Sequence, residues 1–293
     1  MYAITGITGK VGGALARTLL ANGKAVRAIV RDQAKGASWA ALGCEVALAE
    51  MEDAKALSAA FAGAEAVFIL PPSEFDPEPS YPEAQKVVDS VVAALKTAHP
   101  KKVLCLSTIG ADAKEDNLLS QRTMLEKALN ELDLPVTFLR PAWFMENALW
   151  DIGTARDTGI LYSFLQPADK KFPMIATKDI GILAGELIQQ DWTGKRVIEL
   201  EAAQRVSPND LAQAFEVALK RPVKVEVVNR ETWEDLFRSQ GMKNPTPRIR
   251  MLDGFNESWI EFKDSGRLAK KGNTSLQQVV DALVAGDNTD DRA

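Results

Sequence analysis

An apolar segment at residues 2–5 runs directly into Gly6-Ile7-Thr8-Gly9-Lys10-Val11-Gly12-Gly13, and a helical pattern with Ala14, Leu15 and Leu19 follows. Glycine surrenders more backbone freedom on folding than any other residue, so four in eight positions need a reason. At a strand-to-helix turn they allow a tight reversal. They also let a ligand touch the backbone, where unpaired N–H groups and the positive end of the helix dipole attract anions. The spacing is GxxGxxG and no Gly-Lys-Ser/Thr follows, so a triphosphate loop of the Walker type is excluded. A dinucleotide held at Gly6, Thr8, Gly9, Lys10 and Val11 is the expected occupant.

The chain beyond this turn alternates. Continuous apolar strands are predicted at 25–31, 44–49, 66–70, 102–107 and 136–139, with helices at 12–21, 54–61, 82–98 and 120–132. Apolar strands separated by helices imply an α/β fold built on a doubly wound parallel sheet covered on both faces. Such a sheet binds ligands outside the carboxyl ends of its strands, where the strand order reverses. After residue 145 the rhythm breaks. Strands are predicted at 160–164, 196–200 and 223–228, and helices at 179–190, 208–219, 230–240 and 275–285. The expected division is a nucleotide-binding domain over 1–145 and a small α+β lobe over 146–293, with part of 165–200 returning to the first. The polar end AGDNTDDRA is expected to fray.

Totals narrow the function. A formal net charge of −5 gives no electrostatic case for direct nucleic-acid binding. No run of eighteen apolar residues exists, so no membrane span is expected. A strand directly after Met1 leaves no room for a signal peptide, and a cytoplasmic protein is expected. One histidine and two scattered cysteines provide no metal site. Cys44 and Cys105 lie in apolar strands and read as free buried thiols.

The end of the second strand selects the nucleotide. The sequence there is Ile29-Val30-Arg31-Asp32, with Lys35 beyond. An acidic residue would bond the ribose 2′-hydroxyl of NAD, whereas arginine pairs bidentately with the 2′-phosphate of NADP. Arg31 at the strand end, reinforced by Lys35, favours NADP(H) over NAD(H). Asp32 would read NAD if the register moved by one residue. Glu50 and Met51, after the third strand, are placed at the adenine edge.

Several segments together resemble the NmrA-like branch of the atypical short-chain dehydrogenases/reductases: TGITGKVG, VRD with Lys35, FILPPS, LSTIGA, LEKALNELDLPVTFLRPAWFMENAL and KFPMIATKDIGILAGELI. The likeness runs over roughly residues 2 to 220, and TFLRPAWFMEN is its most specific part. It implies a Rossmann domain with a small C-terminal lobe. It also implies either reduction of a quinone or a similar small apolar acceptor, or a regulator that senses NADP(H). A homodimer or a regulatory protein partner fits the same likeness.

One departure decides the chemistry. The wider superfamily uses a serine with a Tyr-x-x-x-Lys pair, whose lysine lowers the tyrosine pKa for proton transfer. Each of the three tyrosines, Tyr2, Tyr81 and Tyr162, lacks a lysine four residues on. Aligned on Glu126 and LRPAWF, Leu118 takes the tyrosine position and Arg122 the lysine position. Leucine transfers no proton, and arginine stays charged. Arg122 is therefore expected to hold a ribose or phosphate, and Ser107 and Thr108 to donate hydrogen bonds to cofactor or substrate. Leu70, Pro71 and Pro72, with Phe68, border the expected nicotinamide end. Phe75, Trp143, Phe144 and Asn147 are the expected substrate wall. Asp112, Glu115 and Asp116 read as a solvated acidic face, and His99 as a helix-end cation. Hydride transfer to a quinone without a tyrosine–lysine pair and non-catalytic sensing both stay open.

Overall fold

The computed structural model describes residues 1–286. The polar tail read as frayed lies mostly outside them. The first half alternates without exception: β1 (Tyr2–Ile4), α1 (Lys10–Ala21), β2 (Val26–Val30), α2 (Gln33–Ala41), β3 (Glu45–Leu48), α3 (Ala54–Phe61), β4 (Ala66–Ile69), α4 (Pro82–Ala98), β5 (Lys102–Leu106), α5 (Ser120–Asn130) and β6 (Val136–Pro141). The second half holds β7 (Trp143–Phe144), α6 (Ile152–Thr158), β8 (Ile160–Ser163), β9 (Met174–Ile175), α7 (Thr177–Ile188), β10 (Lys195–Ala202), α8 (Pro208–Leu219), β11 (Lys224–Val227), α9 (Trp233–Ser239), α10 (Thr246–Glu257), β12 (Lys270–Gly272) and α11 (Leu276–Val284).

Eight strands form one sheet in the order β12-β10-β6-β5-β4-β1-β2-β3, and every pairing in it is parallel. Side chains alternate between its faces, as period two requires. Ile4, Ala28, Val30, Phe68, Leu104 and Leu139 point to the layer that contains α1 and α7. Ala3, Ile29, Val67, Val103, Cys105 and Phe138 point to α3, α4 and α5. Both faces are buried, so the strands read as unbroken apolar runs. Cys44 and Cys105 are buried free thiols. Among the described residues no helix is long and apolar enough to cross a membrane.

The chain leaves β1 toward β2 and β3, then returns to place β4 on the other side of β1. That reversal opens a crevice at the carboxyl ends of β1 and β4. Thr5 closes its floor: its hydroxyl donates to the Phe68 carbonyl (3.1 Å) and accepts from the Leu70 amide (2.7 Å).

Helices α2, α6 and α10 and strands β7, β9 and β12 were not read from the sequence. Helix α2 carries Gly36, a weak helix former that fits because a Cβ there would fall 2.7 Å from Val46. Helix α10 was hidden by Pro247 and Gly254, although proline near the start of a helix is a favourable signal. Strand β12 is the polar tripeptide KKG at the sheet edge. The sheet is also completed from far along the chain, because β10 pairs with β6 and β12 with β10. The remaining strands form two small parallel pairs, β8 with β11 and β7 with β9.

Candidate functional site

The glycine turn sorts its residues by physical demand. Ile7 and Val11 are buried and anchor it, so Val11 can offer a ligand only its amide. Gly6 has φ of +64°, and a Cβ there would lie 2.3 Å from Leu70 Cδ2. A Cβ on Gly12 would lie 2.3 Å from the Gly6 carbonyl oxygen, so α1 packs directly on the turn that precedes it. Gly9 differs from both. Its backbone is extended (φ −94°, ψ 170°), and the nearest described atom to a Cβ there is 3.5 Å away. Among the described residues, a Cβ at position 9 would meet only ordinary contact. Gly9 is also the N-cap of α1, which has no side-chain cap and no acidic residue in its first turn. Exposed Thr8 and Gly9 and half-buried Lys10 thus border bare amides beside the crevice. This geometry fits a diphosphate approaching the backbone.

At the adenosine end, Arg31 is exposed directly after β2 and makes no ion pair among the described residues. Asp32 is turned the other way: it caps α2 by accepting from the Ala34 amide at 2.8 Å. Asp53 likewise caps α3 through the Ala56 amide at 2.9 Å. Arg31 and Glu50 line an open cavity of about 420 Å³ with Ala49, Glu52, Asp53 and Ala56. Lys35 is exposed on α2, and Met51 is half-buried beyond β3.

At the opposite end, α5 grips the loop that follows β4. Arg122 donates to the carbonyls of Pro71 (3.0 Å) and Pro72 (3.1 Å) and to Ser73 Oγ (2.7 Å). The Gln121 amide brackets Glu74, donating to its carbonyl (2.8 Å) and accepting from its N–H (3.3 Å). Burial lowers the Arg122 pKa to about 10, which leaves it charged at neutral pH. The donors read as ribose or phosphate ligands are therefore directed at the backbone of the site loop. Leu70 is half-buried there, Pro71 buried and Pro72 exposed.

Ser107 sits at the carboxyl end of β5, and its hydroxyl donates to Glu126 Oε1 (2.5 Å) inside the protein. Glu126 is held bidentately by Arg140 (2.9 and 2.7 Å), and Arg140 reaches on to Asp112 (2.8 Å). With its proton directed to Glu126, the buried Ser107 hydroxyl keeps only acceptor capacity for any further partner. The acidic loop is likewise not a simple solvated face. Asp112 pairs with Arg140 and Glu115 with Arg250, while Asp116 accepts from the Tyr81 hydroxyl (3.1 Å). Leu118 is buried at the position where the superfamily carries its tyrosine.

The aromatic wall is divided. Phe68 is fully buried in the core and takes no part. Trp143 meets Phe255 edge-on at 5.2 Å, and half-buried Phe144 pairs with Ile175 between β7 and β9. Exposed Phe75 meets exposed Trp150 edge-on at 6.5 Å. Asn147 is half-buried and makes no side-chain hydrogen bond among the described residues. Beside Trp150, burial raises the Asp151 carboxyl to about 7. The contacts of Glu126, Arg140, Gln121, Trp150 and Phe255 escaped sequence reading, because a buried charge pair and a contact between distant segments leave no local pattern.

A parallel doubly wound sheet with a glycine cradle at its switch point defines the Rossmann class of nucleotide-binding fold. Residues 2–262 match the model of the NmrA-like family, and the chain belongs to that family. An NAD(P)H azoreductase of Xenophilus azovorans is 26% identical over 259 residues, covering 88% of this chain and 85% of the relative. Quinone oxidoreductase 2 of Escherichia coli is 29% identical over 244 residues, covering 83% and 82%. A crystal structure of the NADPH-dependent quinone oxidoreductase QOR2 of Escherichia coli, complexed with NADPH, superposes with a TM-score of 0.81 at 24% identity, covering 97% of this chain and 99% of that one.

Two predictions follow from this geometry. Serine is a better N-cap than glycine by a few tenths of a kcal/mol. Gly9→Ser should therefore hold or raise the melting temperature while filling the cradle, and NADP(H) affinity should fall at least about ten-fold. Gly12→Ala should instead lose about 1–3 kcal/mol of stability by pressing on a backbone carbonyl. Calorimetric titration and thermal melts read both variants. For Asp151, an unfolded value of about 4 means that folding takes up a proton between about pH 4 and 7. Its contribution to stability is therefore lost as pH rises through that window. The melting temperature should fall from pH 5 to pH 8, and Asp151→Asn should shrink that fall; an unchanged profile would refute the assignment.

Proposed function

We propose that this protein is an NADPH-dependent oxidoreductase that reduces a quinone or a similar small apolar acceptor by hydride transfer, without a tyrosine–lysine pair. The observation that carries the reading is the bare backbone at Gly9, which no contact within the protein demands, next to an arginine at the ribose position with no ion pair among the described residues. Both curated relatives are named as reductases, one using NAD(P)H and one acting on quinones.

When bound, the nicotinamide supplies the hydride. The chain's own groups then divide the remaining tasks. The amides of residues 7–11 and the positive end of α1 hold the diphosphate. Arg31 and Lys35 read the 2′-phosphate, and Asp32 leaves NAD without its usual carboxylate because it caps α2. Glu50 and Met51 edge the adenine. Ser107 accepts a hydrogen bond from cofactor or substrate, while Arg122 and Gln121 hold the loop over the nicotinamide end. Phe75, Trp143 and Phe144 supply apolar surface, and Asn147 orients the acceptor. A quinone suits this set, since the negative charge spreads over its oxygens and solvent can deliver the protons. The same reading assigns nucleotide binding to the first 145 residues and substrate contacts to the lobe that follows.

One observation favours a second reading, a non-catalytic sensor of NADP(H). The Ser107 hydroxyl at the carboxyl end of β5 donates inward to Glu126, so it is not free to protonate a product. Absorbance at 340 nm with a panel of quinones separates the two. The oxidoreductase reading expects turnover with NADPH above that with NADH. Arg31→Ala should cut NADPH affinity about 10- to 100-fold and leave NADH unchanged. Tight NADP(H) binding with no turnover would establish the sensor, and equal loss for both nucleotides would overturn the role of Arg31.

A further inference from the structure

Helices α1 and α7 touch at backbone distance. A Cβ on Gly181 would lie 2.4 Å from Ala14 Cβ and 2.6 Å from the Val11 carbonyl oxygen, and one on Gly185 would lie 2.7 Å from Thr18 Cγ2. Contacts that pair 181 with 14 and 185 with 18 make the two helices parallel. One turn earlier, Thr177 therefore stands level with Lys10. The positive ends of two helix dipoles meet side by side at the nucleotide cradle.

The two ends are treated differently. Helix α1 has no side-chain cap and no acidic residue in its first turn. Helix α7 has Ala176 at its N-cap, which has no side chain able to cap. Asp179, in its first turn, is committed to Thr274, accepting from the amide (2.8 Å) and the hydroxyl (2.7 Å). The cap comes from Glu146, 31 residues upstream, in the 3-10 turn Met145–Asp151 that also carries Asn147. Both Glu146 oxygens accept from the Thr177 amide (2.9 and 3.0 Å), and Oε1 also accepts from the Thr177 hydroxyl (2.6 Å). Burial pushes the Glu146 carboxyl up, against the bonds from Thr177 and the charge of nearby Lys10. Lys10 is thus both a cation of the cradle and a neighbour of Glu146. A neutral carbonyl oxygen could also accept from the Thr177 amide and hydroxyl, so the cap does not by itself require a charge. A carboxylate at this level opposes any diphosphate that approaches the start of α1, and like charges repel more strongly in a partly buried site than in water.

We propose that Glu146 is a negative charge built into the nucleotide site, which opposes the diphosphate from the end of α7 and limits how tightly the nucleotide is held. A reductase must release its spent nucleotide at every turnover, and release limits the rate of many enzymes. A fixed like charge beside the diphosphate favours that step. The proposal rests on the nucleotide-binding reading above.

The test is calorimetric titration of NADPH and of NADP+ into the full chain at pH 8, well above the ordinary carboxylate range. Glu146→Gln and Glu146→Met remove the charge in two ways, and Glu146→Asp keeps it. The neutral variants should bind both nucleotides at least about five-fold more tightly than wild type, and Glu146→Asp should stay within about two-fold of it. Tighter binding in either neutral variant supports the proposal, because a carboxylate that only held the fold together would weaken binding when lost. Binding that is no tighter than wild type in both neutral variants, its loss included, would overturn the proposal and leave the nucleotide-binding reading standing. So would an equal gain in Glu146→Asp. Absence of binding to wild type would remove that reading and the proposal with it.

Discussion

The contact on which the molecule depends is backbone against backbone: the Cα of Gly12, on the first turn of α1, lies against the carbonyl of Gly6. It admits no side chain. This contact sets α1 onto the sheet, aims its free amides across the crevice, and fixes where β1 ends relative to β4. The Thr5 hydroxyl, shared between the Phe68 carbonyl and the Leu70 amide, locks the same junction from below. Gly6 and Gly12 are thus explained by the fold, and Gly9 is demanded by no close contact among the described residues.

At the other end of the crevice, charged residues give the site its shape. Arg122 and Gln121 hold the loop after β4 through its backbone groups. Glu126 and Arg140 form a buried bidentate pair that ties α5 to β6 and turns the Ser107 hydroxyl inward. Breaking such a pair from one side is costly, about 3–5 kcal/mol, because the remaining charge is left buried. The position that carries a tyrosine elsewhere in the superfamily is filled by Leu118, which packs rather than reacts. Arg122, Gln121, Glu126 and Ser107 are thus committed to partners within the protein.

Much of the sheet could be read from residues because its strands are buried on both faces and its helices carry one apolar stripe. Helices α3, α4 and α8 coincide with the predicted ranges, and the start of α8 is marked by the Ser207–Asp210 capping box. What escaped reading had physical causes. Helix α2 is short and weakly amphipathic, its glycine demanded by Val46. Strand β12 is polar, being an edge of three residues. The fate of Arg122 and Ser107 depended on partners distant in sequence, Pro71 and Glu126, which only the fold brings near. Local chemistry singled out the glycine turn and Arg31 as candidates; the networks that hold Asp32, Ser107 and Arg122 required the structure.

The central claim is that the amides between β1 and α1 grip a dinucleotide through its diphosphate. Hydrogen–deuterium exchange with and without saturating NADPH tests it most directly. Slowed exchange in the peptide spanning residues 5–12 is the predicted result. Unchanged exchange in that peptide, while the nucleotide binds and protects some other part of the chain, would contradict the account.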